Sequence, residues 1–235
     1  MLASGLLAGF VAALLATLLQ FAFLERHILL AERYESGELS HFGGAAHQSE
    51  SHDHATPAEE AAPHDHPDTE TPFWQRQAKT VLVMIITYAG YGLVLAAGIA
   101  LATHYGRPVA LTEGLLWGLA GFATFSLAPA MGLEPALPGV EGADLPARQF
   151  WWMLCAGATA AGLALLAYGT SLLPRLAGLV LLAIPHIIGA PHPAEFTATI
   201  PPELASQYAA RSLGVGLMVW VALGGAVQWF WHRSA

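Results

Sequence analysis

The stretch LAGLVLLAIPHIIGAPHP, residues 176–193, opens as a membrane helix and closes as something a bilayer does not tolerate alone. Its first ten residues are apolar or small; Pro185, His186, Gly189, Pro191, His192 and Pro193 mark its second half. Each proline removes a backbone N–H and biases the residue before it away from the helical region. Ile184, Ala190 and His192 are therefore expected to be poor helix residues. Carbonyls freed by such a break need partners, and hydrocarbon offers none. Irregular backbone at membrane depth is tolerated where it is buried in protein or lines a polar cavity, and in transporters such broken helices carry ion sites. The expectation is a transition-metal cation held at His186 and His192. A proline-kinked helix end with both imidazoles facing water fits the same letters.

The rest of the composition agrees with a membrane protein. Hydrophobic residues make up 55% of the 235-residue chain and charged residues 11%, with the apolar residues in long blocks. A spanning helix needs roughly 20 such residues. The chain therefore reads as an all-α integral membrane protein, a polytopic bundle of five to six transmembrane helices with one broken helix. The formal charge of −8 is local. Residues 31–72 carry ten acids against Arg33 alone, so the acidity gives no reason to expect a nucleic-acid partner. Cys155 sits alone in an apolar block and reads as a packing residue. No phosphate-binding G-x-x-x-x-G-K-[ST], no His-Glu-x-x-His, and no nucleophile with a nearby base occurs, so the chain reads as neither an ATPase nor another enzyme. No tightly bound cofactor is expected.

Three parts follow in order. Residues 1–35 form a first transmembrane helix and its extension, read as retained rather than cleaved because a basic n-region is missing. Gly5 and Gly9 allow close helix contact. At 3.6 residues per turn Glu25 and Glu32 share a face, a short carboxylate ladder at a helix mouth that could attract a divalent cation or simply be a solvated helix end. Residues 36–77 read as a disordered acidic His-rich loop, with His41, His47, His52, His54, His64 and His66 among few apolar residues. The His-Asp-His triplets put His52, His54, His64 and His66 beside carboxylate, a donor set that suits Co²⁺, Ni²⁺, Zn²⁺ and Cu²⁺ alike. Residues 78–235 read as a helical membrane core with the broken helix at 175–193. Within it Thr112 is the expected N-cap of the third span, Pro129 should kink or end that span, and Gly114/Gly118, Gly157/Ala161 and Ala158/Gly162 suit tight packing.

Four stretches are similar to a known family. They are Glu25 with 31–35 (AERYE), 127–133 (LAPAMGL) with 137–139 (LPG), 144–152 (DLPARQFWW), and 184–191 (IPHIIGAP). The chain resembles CbtA, the predicted cobalt transporter subunit of bacteria, over almost everything outside 36–77. One departure is visible: the family tends to read Leu-Pro-Pro-Glu-Leu-Pro-Gly where this chain has Leu133-Glu134-Pro135-Ala136-Leu137-Pro138-Gly139, so no ligand role is assigned to Glu134. The resemblance implies about five spans, a bacterial inner-membrane location, and a small single-span CbtB subunit with its own His-rich end. Other partners expected are the lipid bilayer and a second copy of the chain.

Residues and resemblance together point to divalent transition-metal transport, with cobalt uptake leading and Co²⁺ as the substrate ion. Loop histidines would concentrate metal, Glu25 and Glu32 would draw it to the mouth, and His186 and His192 would replace part of its water shell. A nickel or zinc permease fits the same donors, and so does a metal-binding or assembly subunit without its own path. Orientation is open in the sequence. Six crossings would put six Lys/Arg on the side of the His-rich loop and three on the other, which favours a cytoplasmic loop, whereas a capture loop for an importer belongs outside.

Overall fold

The computed structural model describes residues 1–41 and 73–234; the expected capture residues His52, His54, His64 and His66 lie outside the described residues. Among the described residues the chain is helical: α1 (Leu2–Glu35), α2 (Phe73–His104), α3 (Leu111–Ala130), α4 (Leu145–Tyr168), α5 (Leu172–Ile188) and α6 (Pro202–Ser234). Five are long and apolar enough to cross a membrane; α5, with 17 residues, is the shorter sixth. This is the all-helical membrane bundle expected from the hydrophobic blocks. Helix α2 begins at Phe73, so residues 73–77 are helical rather than part of the preceding loop.

The helices pack as antiparallel neighbours. Helix α1 lies on α2 and α6, α3 lies on α6, and α4 lies on α5. Small residues set these distances. A Cβ on Gly5 would stand 2.9 Å from the carbonyl oxygen of Gly92, and one on Gly9 would stand 2.5 Å from that of Tyr88. Gly114 and Gly118 do the same against the Trp220–Gln228 face of α6, and Gly162 and Gly178 meet reciprocally at 2.8 Å. Gly157, by contrast, has open space around it. The middle of the bundle is filled by aromatic rings. Phe125 and Trp220 stack at 5.5 Å, and Tyr91 lies 4.6 Å from Trp220. The Trp220 indole N–H donates to Ser126 Oγ at 3.1 Å.

Two π-turns interrupt the α-helical winding, Gln20–Leu24 in α1 and Ala123–Leu127 in α3. The second lies directly before Pro129, and α3 ends at Ala130, as the proline led one to expect. At the start of α3 a 3₁₀ turn replaces the expected Thr112 cap. Glu113 Oε2 accepts from the Ala110 N–H at 2.8 Å, so the carboxylate rather than the hydroxyl satisfies the helix end.

The antiparallel order gathers the end of α1, the start of α2 and the segments 131–144 and 189–201 at one end. Helices α1, α2 and α6 have 34, 32 and 33 residues, about 50 Å each at ~1.5 Å per residue, against a hydrocarbon layer of about 30 Å. Their polar surplus, including Glu25, Arg76 and Arg211, projects at this end. The segments 131–144 and 189–201 pair there: the Thr199 N–H donates to the Gly139 carbonyl at 2.9 Å, and the Glu141 N–H to that of Thr197 at 3.2 Å. Leu137 and Ile200 bury against Ala31 and Leu204 beneath them. These pieces form a cap over the bundle.

The expected break in α5 needs correcting. The helix runs through Ile184 and Pro185 to Ile188 and ends at Gly189. Pro185 falls in the last turn, where its missing N–H costs a single bond and the chain can leave soon afterwards. Gly189 has φ 84° and ψ 149°, a region essentially confined to glycine. The glycine, not the proline, stops the helix.

These contacts predict opposite outcomes for two glycines. Gly9→Val should lower thermal stability in detergent by about 1–3 kcal/mol, because the new carbons meet α2 backbone. Gly157→Val should stay within about 0.5 kcal/mol. Equal losses would mean that helix propensity, not packing, sets the difference.

Candidate functional site

All described candidate ligands lie at the capped end, and they do not form one constellation. Glu25 and Glu32 share a face of α1, as their spacing implied, and that face meets the first turns of α2. Glu32 accepts from Arg76 through both oxygens, one bond at 2.9 Å and a shorter one from Nη2 to Oε1. Gln77 Nε2 donates to Glu25 Oε1 at 2.5 Å. Both carboxylates therefore tie α1 to α2. A metal drawn to them would compete with a guanidinium and an amide.

His186 is half-buried in the last turn of α5, its ring edge-on to Trp151 with centroids 6.2 Å apart. His192 is exposed in the segment after Gly189 and lies 5.8 Å from the Phe196 ring. The two imidazoles face different surroundings. His192 lines a cavity of about 940 Å³ together with Glu134, Glu141, Arg148 and Trp152, and His186 is not on that wall. His192 also borders a shallower recess carrying Glu141, Asp144 and Glu195. Among the described residues no group of three or more His, Cys, Asp or Glu side chains is drawn together tightly enough to hold a metal ion.

Trp151 explains how this end is held. Its indole N–H donates to the Pro185 carbonyl at 3.2 Å, and the same oxygen accepts from the Gly189 N–H at 3.0 Å. Trp151 is 4% exposed and packs with Ala128 and Cys155. A Cβ on Gly132 would come within 2.8 Å of the Trp151 ring and 2.7 Å of the Ala190 Cβ. The ends of α3, α4 and α5 thus meet at one indole, which fixes where the segment bearing His192 leaves the bundle.

Two side chains gained importance only in three dimensions. His27 is 3% exposed, its Nδ1 is buried without a hydrogen-bond partner, and Gln207 and Arg211 of α6 stand beside it. Its position was legible, since Leu24, His27 and Ala31 follow the 3–4 spacing of a buried stripe. Arg148 lines the 940 Å³ cavity, and its Nε is buried without an acceptor. No spacing rule would have singled it out.

A multi-pass helical membrane protein with a capped, histidine-bearing end is what the fold and site define. The family model described as probable cobalt transporter subunit (CbtA) matches residues 1–232, and the chain belongs to that family. It is thus a transporter subunit by family, which is not an enzyme class. No curated protein and no solved structure matches it.

The Trp151 joint can be tested directly. Trp151→Phe keeps most of the apolar volume and removes one donor, so stability should fall by about 1 kcal/mol. Amide exchange at Gly189 and Ala190 should accelerate more than exchange in α1. A uniform acceleration would show that Trp151 contributes bulk alone.

Proposed function

We propose that this chain binds a divalent transition metal at its capped end and passes it across the bacterial inner membrane, with Co²⁺ as the leading substrate and uptake as the direction. The observation that carries this reading is membership, over residues 1–232, of a family described as a cobalt transporter subunit. The site supports it. His192 borders the recess with Glu141, Asp144 and Glu195, so carboxylate and imidazole donors face one opening. Imidazole nitrogen and carboxylate oxygen are donors that Co²⁺ accepts readily, and Ni²⁺ and Zn²⁺ accept them too. His186 would serve as the next ligand inward, Glu25 and Glu32 as acids at the mouth, and His52, His54, His64 and His66 as a concentrating trap. Residues 41 and 73, which flank that histidine-rich stretch, are at the same end. The donors are few and include no thiolate, which favours release over storage.

One observation favours a second reading, in which the chain holds metal and delivers it to another subunit. Tyr91, Phe125 and Trp220 fill the middle of the bundle. Helix α5 supports a partner of the small single-span CbtB kind. It packs on α4 and on no other described helix, and it exposes Leu172, Leu173, Leu176, Leu179 and Val180.

Uptake of ⁵⁷Co²⁺ into proteoliposomes separates the readings. Saturable flux should be lost in His186→Ala/His192→Ala and only weakened in apparent affinity when residues 41–66 are deleted. Acidification from about pH 7.5 to about pH 5 should slow uptake several-fold, because protonated imidazole cannot ligate. A rate indifferent to pH would remove the histidines from the path. Bound metal without flux would favour the delivery subunit.

A further inference from the structure

The cavity beneath the cap is larger than a bare ion requires. A divalent ion with about six waters at ~30 Å³ each occupies on the order of 200 Å³, against about 940 Å³ here. Its volume is that of a pocket for a small organic molecule. The lining also carries a charge of the wrong sign for a metal. Arg148 stands on its wall, in no ion pair with Glu134 or Glu141 of the same wall. Glu141 Oε2 instead accepts from Thr197 Oγ1 at 2.5 Å. The Arg148 Nε is shut from solvent without an acceptor, so a ligand would be met by the terminal nitrogens of the guanidinium. Gly142 lets the guanidinium lie against the segment backbone: a Cβ there would stand 3.0 Å from Nη1 and 3.2 Å from Cζ.

The two signs are arranged around His192. Glu134 and Glu141 share the cavity with Arg148, the indole of Trp152 and the thioethers of Met131 and Met153, and Asp144 and Glu195 border the adjoining recess that also reaches Glu141 and His192. A bare cation would use the carboxylates and His192 and leave Arg148 unused. A free polycarboxylate would meet Arg148 and be repelled by Glu134 and Glu141. A metal complexed by a small polycarboxylate satisfies both: the metal faces the carboxylates and His192, and a carboxylate of the chelator takes the guanidinium in the paired geometry that Arg favours.

We propose that this cavity takes the metal as a small polycarboxylate complex, with Arg148 as the residue that recognises the chelator. The proposal rests on the metal-transport reading above and names the form in which the cargo arrives. Full-length protein in neutral phosphatidylcholine nanodiscs would be titrated with ⁵⁷Co²⁺ alone, with the 1:1 Co²⁺–citrate complex, and with citrate alone. Wild type should bind the complex about tenfold or more tighter than either component, the range expected of a charged hydrogen-bonded contact. Arg148→Gln should abolish that preference while Co²⁺ alone binds at least as tightly as to wild type, because a like charge has been removed. Gly142→Ala keeps the arginine but displaces its flexible end, and should reduce the preference without loss of thermal stability. No preference in wild type, or a preference intact in Arg148→Gln, overturns the proposal. Should Arg148→Gln fail to fold, an undiminished preference in Gly142→Ala overturns it equally. Binding of Co²⁺ alone with no gain from citrate sinks this inference and leaves the transport reading standing, whereas no binding of cobalt in any form sinks both.

Discussion

Lipid tails are as apolar as leucine, so helices in a bilayer gain little by turning apolar side chains inward and must gain instead from close van der Waals contact. In this chain that contact is reached where glycine lets one backbone lie on another. Gly5 and Gly9 bring α1 onto α2, Gly114 and Gly118 bring α3 onto α6, and Gly162 with Gly178 brings α4 onto α5. Each pair is antiparallel, and their common direction delivers the polar surplus of α1, α2 and α6 to one end. The cap, the paired segments and the cavity all stand on that surplus. A change in helix spacing would therefore reach the candidate site without touching it.

The bundle divides into parts with different anchoring. Helices α1, α2, α3 and α6 share one continuous core around Ile99, Val219, Trp220 and Leu223. The α4–α5 hairpin joins that core mainly through the small cluster of Ala128, Trp151 and Cys155. The cap has its own core of Ala31, Leu137, Ile200 and Leu204. Because the Trp151 indole bonds the Pro185 carbonyl, the hairpin and the start of the second cap segment are mechanically linked. Sliding of packed helices is a small motion, and the hairpin is tied to the four-helix core through the small Trp151 cluster.

Much of this was legible in the letters. Length and apolarity of the blocks gave the helices, and the GxxxG pairs at Gly5/Gly9 and Gly114/Gly118 gave real contacts, because small residues four apart put a low face along the helix that a neighbour can approach. Gly157 had the same spacing to Ala161 and touches nothing, since spacing says which face is small but not whether a neighbour lies there. The reading of Pro185 as a break failed for a related reason. A proline in the last turn and one in the middle are identical in sequence, and only the position of the stop at Gly189 tells them apart. The π-turns left no signal, because an extra residue in a helical turn changes winding without changing composition. Glu25 and Glu32 were placed correctly on one face, but their partners Gln77 and Arg76 lie across the segment 36–72, beyond any local pattern.

The location of the chemistry follows from the cost of charge in hydrocarbon. A divalent ion cannot leave water until ligands replace its shell, and each buried polar group in the bundle must itself be satisfied. The interior supplies few such groups. Gln228 is fully buried and spends its amide N–H on the Val109 carbonyl at 2.5 Å, at the end away from the cap. His27 is a buried interior imidazole directly below the cap, beside Gln207 and Arg211. If the chain passes a metal as proposed, the exchange of water for protein ligands would begin at the cap, where carboxylates and His192 stand in solvent. In that reading the next protein nitrogen would be either His186, held by the Trp151 joint, or His27, held between α1 and α6. These two lie on different parts of the bundle, so a passage that used both would require the hairpin and the four-helix core to present them in turn.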